Sequence, residues 1–174
     1  MGTFEISGPD ACDFIDAVTT NFVPKLEIGH SHYSYVLDVD GRVMDDIIVY
    51  RTGPDRYMVV VNASNQDKIW AWWSAVNNRD VLVDRDAPEK VAPGPVKMRR
   101  LKDPKEGADQ RIDLAFQGPS TLEILRKLSR SRDLDGLGKF QHAAIRIGDI
   151  DLLASRTGYT GAEMGFEIFV HPER

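Results

Sequence analysis

The sequence predicts an α+β fold of antiparallel sheets with helices on one face. Three observations carry this. Strand-like runs outnumber helical ones. Many neighbouring strands are separated only by tight turn signals such as Asp40-Gly41 and Gly148-Asp149, which favour antiparallel pairing. The element order is strand–helix–strand–strand–strand–helix–strand, followed by a second strand–helix–strand–strand–strand set. It lacks the one-for-one alternation of a parallel α/β fold.

Each element has its own signal. Thr3 to Ile6 reads as a strand and Ser7-Gly8-Pro9-Asp10 as a turn. Ala11, Phe14, Ile15 and Val18 recur at helical spacing, so residues 10–19 are predicted helical. Tyr33, Tyr35 and Leu37 alternate with Ser34, Val36 and Asp38 as in a strand, and Val43 to Tyr50 returns from the hairpin turn. Arg56 to Val61 is a third strand. Asn62 to Asn65 reads as a helix cap, with Ser64 or Asn62 capping, and Ile69, Trp70, Trp73 and Val76 give the next helix its apolar face. Val81 to Val83 is read as another short strand. Beyond the middle of the chain the expected elements are strand Ile112 to Phe116, helix Thr121 to Leu128, and strands Ala143 to Ile147 and Asp151 to Ser155. A glycine-rich loop from Gly158 to Gly165 then leads to strand Phe166 to Val170.

The expected organisation is a first α+β unit at 1–85, a loop or insertion at 86–110 rich in proline and charge, and a second, incomplete unit at 111–174. The two units share an element order without a sequence repeat. With 174 residues, 42% hydrophobic and 28% charged, the chain has an ordinary globular composition. A net charge of −5 argues against a general nucleic-acid binder, whose footprint is basic. The single cysteine, Cys12, excludes an intrachain disulfide framework and a multi-cysteine zinc site, and is read as a small buried residue. No run approaches the ~20 apolar residues of a membrane helix, and no signal peptide is visible, so a soluble cytoplasmic protein is expected.

Several residues are candidates for chemistry. Consecutive strand residues point to opposite faces, so only one of Asp45 and Asp46 can face a given site. A carboxylate there can anchor charge or act as a base, although two solvated charges at the start of a hairpin strand fit the same spacing. Asp38-Val39-Asp40-Gly41 lacks the later ligands of a calcium loop and reads as the hairpin turn. Glu167 is a charge inside an apolar strand, next to a loop whose glycines permit close backbone approach. It can accept two parallel hydrogen bonds from an amidine-like edge, or it can face solvent. Trp70, Trp72 and Trp73 read as helix packing. Lys97, Arg99, Arg100, Lys102 and Lys105 read as a solvated basic loop, and His30 and His32 as surface histidines without a third metal ligand.

Five segments in order resemble the T-protein family, the aminomethyltransferases of the glycine cleavage system and their folate-dependent relatives. They are Ser7 to Ala11, Gly41 to Tyr50, Val59 to Asn65, Leu114 to Pro119, and Ser155 to Gly161 continuing through Gly165-Phe166-Glu167-Ile168. The resemblance implies a tetrahydrofolate site built on two similar strand–helix–strand units. Asp46 matches the family's essential carboxylate, which orients the reacting folate nitrogen and stabilises charge. Glu167 matches the carboxylate that accepts two adjacent N–H donors of the pterin edge. Asn62 matches a pterin-contacting asparagine, and Tyr33, thirteen residues before Asp46, a position lining the same pocket. The family reaction delivers an aminomethyl group on the lipoyl arm of a carrier, H-protein; tetrahydrofolate takes the carbon and ammonia leaves. Relatives move methyl groups from other donors.

Family members usually run to more than twice this length. The chain is therefore expected to lack the family's N-terminal stretch and C-terminal barrel, and its uncovered apolar surface favours self-association or a partner chain. The alternative reading is a non-catalytic folate-binding or interaction protein that a second chain completes. The branch of the family that supports iron–sulfur assembly carries a Lys-Gly-Cys-Tyr-x-Gly-Gln motif that nothing here matches.

Overall fold

The computed structural model describes residues 1–129 and 134–174. They form two units, Met1–Arg100 and Leu101–Arg174, each with its own sheet and core.

The first unit has strands β1 (Gly2–Ser7), β2 (Ser31–Leu37), β3 (Val43–Gly53), β4 (Arg56–Val61) and β5 (Lys97–Arg100), with helices α1 (Ala11–Val18) and α2 (Gln66–Asn77). The sheet order is β2-β3-β4-β1-β5, antiparallel throughout. Because strand side chains alternate, Phe4, Ile6, Val36, Ile47, Val49, Tyr57, Val59 and Val61 project from one face. Both helices bury their stripes in the same core: Phe14, Ile15 and Val18 from α1, and Ile69, Trp73 and Val76 from α2. Trp73 makes edge contacts with Phe4 and Phe14 at centroid distances of 6.3 and 6.5 Å. Trp70 and Trp72 are half-buried against this core, as is Cys12, read from the sequence as a small buried residue.

The β2–β3 hairpin closes as its residues demand. Asp38 Oδ1 accepts the backbone N–H of Asp40 and of Arg42, both at 2.9 Å, and Gly41 sits at φ 76°, where a side chain is disfavoured. A bulge follows Val36. The outer edge of β2 is covered by its own chain: Tyr35 N donates to Thr20 Oγ1 (3.1 Å) and Asn21 Nδ2 to the Tyr33 carbonyl (2.9 Å).

The second unit has β6 (Ile112–Gln117), α3 (Thr121–Leu128), β7 (His142–Ile147), β8 (Ile150–Ser155) and β9 (Gly165–Val170), in sheet order β6-β9-β8-β7, again antiparallel. Leu125, Ile145, Leu152, Phe166, Ile168 and Val170 belong to its core. Both units open alike: a strand, a glycine at φ 122° (Gly8) or 123° (Gly118), a proline, and an eight-residue helix. The expected α+β class of antiparallel sheets is what the chain adopts.

Four element readings change. Val81 to Val83 forms no strand; Val81 and Leu82 are exposed, with no neighbouring strand to pair them. Residues 86–110 are not only loop, because they hold β5 and a 3₁₀ segment at Pro104–Asp109. The basic cluster is therefore largely structural. Arg99 pairs with Glu5 (3.1 Å), Arg100 lies 4.8 Å from the Trp70 ring centroid, and Lys102 pairs with Asp113. His30 and His32 are half-buried, the His30 side chain keeping 37% of its surface exposed. Among the described residues, no helix is long and apolar enough to cross a membrane.

Candidate functional site

The pleat of β3 separates its two aspartates. Asp45 shares the helix-covered face with Ile47 and Val49 and is 4% exposed, whereas Asp46 is exposed on the opposite face. Tyr35 lies directly across from Asp46 in the β2–β3 register, and Tyr33 stands one pleat repeat away on the same face. Asn62 is the first residue after β4, where the β3–β4 ladder has ended.

These positions bring three sequence-predicted residues together. Tyr33 donates its hydroxyl to Asp46 Oδ2 (3.0 Å), and Asn62 Nδ2 donates to Asp46 Oδ1 (2.8 Å). Each oxygen of Asp46 thus has one donor, and the residue itself is exposed. Tyr33 and Tyr35 meet edge to face, with centroids 5.2 Å apart and an interplanar angle of 83°. Hydrogen bonding with Tyr35, then loss of hydration, then the Asp46 carboxylate raise the Tyr33 phenol above its ordinary value, so it remains a neutral donor.

Sequence reasoning named Asp45 only as the other half of the Asp45-Asp46 pair, without a role, and missed Asn65. Asp45 accepts Asn62 N (3.0 Å), Asn62 Nδ2 (2.9 Å) and Asn65 Nδ2 (2.6 Å). A buried carboxylate is tolerable only with such donors. Its place at the start of the Ala63–Asn65 turn, which leads into α2, adds favourable interaction with the helix N-terminus. This overturns the capping reading: neither Asn62 nor Ser64 caps with its side chain, because Asn62 points at the carboxylates and Asp45 takes its backbone N–H from a neighbouring strand.

Glu167 belongs to the second unit. It occupies central strand β9, opposite Ala115 of β6 and Ser155 of β8, and is 2% exposed. The solvent-facing alternative is therefore wrong. Thr157, also missed from sequence, donates its hydroxyl to Glu167 Oε2 through a short bond, and Ser155 Oγ lies 3.1 Å from that hydroxyl. The glycines nearby have a local purpose. A Cβ at Gly158 or Gly165 would overlap the Gln117 side chain, whose Nε2 donates to the Phe166 carbonyl (3.1 Å). A cavity of about 180 Å³ opens beside them, lined by residues including Gln117, Phe140, Arg156 and Thr157.

The chain matches the GCVT N-terminal domain over residues 1–174. It is 37% identical over 175 residues to an aminomethyltransferase of Symbiobacterium thermophilum and 31% identical over 177 residues to one of Phocaeicola vulgatus, covering 99% of this chain and 42% of each relative. Among solved structures, the glycine cleavage system aminomethyltransferase T from Bartonella henselae superposes with a TM-score of 0.73 at 26% identity, covering 98% of this chain and 39% of that one. Heterotetrameric sarcosine oxidase from Corynebacterium sp. U-96 shares the fold, with a TM-score of 0.53 at 15% identity, covering 97% of this chain and 70% of that one. The chain thus spans about two fifths of the length of the curated relatives it matches. Five motifs in family order, two antiparallel units and a match along the whole chain agree: the chain belongs to the GCVT N-terminal domain family.

Proposed function

We propose that this chain supplies the folate-facing residues of an aminomethyltransferase of the glycine cleavage type. The observation that carries the reading is Asp46: an exposed carboxylate on a rigid strand, held by Tyr33 and Asn62 on separate oxygens. The residues suit a reduced pterin. In the first unit Asp46 and the Asn62 carbonyl offer acceptors to N–H groups, and Tyr33 and Tyr35 offer ring edges and faces; in the second unit, taken by itself, Glu167 is a carboxylate of the kind that accepts a pair of N–H donors. Tetrahydrofolate, the substrate, supplies the nitrogen that takes the carbon. Asp46 orients that nitrogen and stabilises the positive charge that develops next to it. Tyr33 and Asn62 hold the carboxylate, so little reorganisation is needed during reaction. The donor is an aminomethyl group on a lipoyl sulfur of H-protein; as its carbon bonds to folate nitrogen, its C–N and C–S bonds break, releasing ammonia and the lipoyl thiol. The expected compartment is the cytoplasm.

Calorimetric titration with 5-formyltetrahydrofolate tests the reading. Saturable 1:1 binding by the wild-type chain, weakened in Glu167→Ala, is the expected result. Absence of binding at millimolar ligand would overturn it for this chain. Unchanged affinity in Glu167→Ala would remove Glu167 from the pterin site.

A further inference from the structure

We infer that Asp45, although it faces away from Asp46, is a positioning residue that fixes the direction of the Asn62 amide and so makes Asn62 an acceptor-only contact for the ligand. The inference rests on the folate reading for the ligand used, but its geometry does not.

A primary amide is nearly symmetric in shape, so its partners decide which end is oxygen and which is nitrogen. Asn62 has two Nδ2 protons. Both have acceptors: Asp45 Oδ1 at 2.9 Å, and Asp46 Oδ1 at 2.8 Å with the Asp46 carbonyl at 3.2 Å. All are oxygens without a proton to give. The reversed amide would aim its own oxygen at two carboxylates. Asp45 cannot turn aside to relieve this, because the Asn62 backbone N–H (3.0 Å) and Asn65 Nδ2 (2.6 Å) also hold it in place. Among the described residues, Asn62 Oδ1 accepts no hydrogen bond. The amide therefore presents an oxygen, and only an oxygen, to whatever lies against Asp46. A ligand must offer an N–H or O–H at that point. A compound whose matching atom is an acceptor, or is alkylated, meets a mismatched lone pair.

Asp45→Asn weakens the cause. It removes one of the two carboxylates that oppose reversal and can bring an N–H against Asn62 Nδ2, so the reversed Asn62 amide, now opposed by the Asp46 oxygens alone, becomes easier to reach. The expected result is an affinity for 5-formyltetrahydrofolate lowered roughly ten-fold, the cost of one mismatched buried hydrogen bond, with an unchanged far-UV spectrum. Asn65→Ala trims the same network without touching Asn62, and its affinity is expected to stay within about two-fold of wild type, since it removes no ligand contact. If Asp45→Asn loses no more affinity than Asn65→Ala, Asp45 is merely structural and the inference fails.

A second measurement needs only the wild-type chain, in case Asp45→Asn does not fold. In NMR spectra of the free protein both Asn62 Nδ2 protons are expected to be protected from exchange with water. On titration the Asn62 carbonyl carbon should shift while these protons stay in place. Unprotected Nδ2 protons in the free chain, or ligand-induced shifts of those protons instead of the carbonyl, would overturn the inference. Protected protons without any ligand binding would leave it standing and reject the folate reading instead.

Discussion

Asp46→Asn keeps the size of the side chain and one acceptor for Tyr33, but removes the negative charge that the proposed chemistry uses. Loss of about 100-fold or more in aminomethyl transfer is expected, the scale for removing a charge-stabilising group, with little change in the thermal midpoint because Asp46 is exposed. Retained turnover would take Asp46 out of the mechanism. Thr157→Val should act in the opposite way. It strips a hydroxyl donor from buried Glu167 and should cost about 1–3 kcal/mol of stability by denaturant unfolding. His32 supplies a pH-dependent term. Burial lowers its pKa below the ordinary 6.5, with Asp16 opposing. A depressed folded pKa means its contribution is complete above about 6.5 and is lost as pH falls through the folded value. His32→Gln should flatten the acid side of the stability profile measured by thermal melts between pH 7 and 5. Sequence alone separated the two aspartates onto opposite faces but could not say which lay under the helices. Ile47, Ile48 and Val49 are all apolar, so the phase of the strand was not written in its composition. Asp45 was therefore invisible as an anchor until α2 was in place.

At the scale of elements, strands and helices with clean periodicity were legible in the sequence almost to the residue: Arg56–Val61, Thr121–Leu128 and the α1 stripe. β5 was not, since Lys97-Met98-Arg99-Arg100 looks like a solvated charge run. It pairs at the sheet edge, where charge is compatible with a strand and discourages further pairing. Its charges are answered from outside the strand by Glu5 and the Trp70 ring, partners that sequence distance conceals. The glycine loop was legible as glycine-requiring, and the structure adds a local reason that sequence does not show: the Gln117 side chain fills the space above Gly158 and Gly165. Gly165→Ala should push the Gln117 amide off the Phe166 carbonyl and cost about 1 kcal/mol, the worth of one hydrogen bond. In a Gln117→Ala background the same substitution should be nearly neutral. A double-mutant cycle by denaturant unfolding checks this, and equal costs in both backgrounds would refute it.

For the whole molecule, the boundary at residue 100 has a simple origin. β5 returns to pair with β1, so the first sheet gains its last strand only when the chain reaches Arg100. A protein ending at residue 100 is expected to melt cooperatively, whereas one ending at residue 85 lacks β5 and should melt at a lower temperature; calorimetry distinguishes them. The pleat of β3 also bears on how this family can drift in length. Side chains on a strand change sides with every residue, so one insertion or deletion between Asp46 and the Ile48–Val60 pair would exchange the stations of the two aspartates. Asp46 would be sealed beneath the helices and Asp45 set adrift in water. Viable length changes there must come in twos, while the irregular stretch at 84–96 faces no such parity rule, and the tally of odd and even gaps across related genes would carry the imprint of a single pleat.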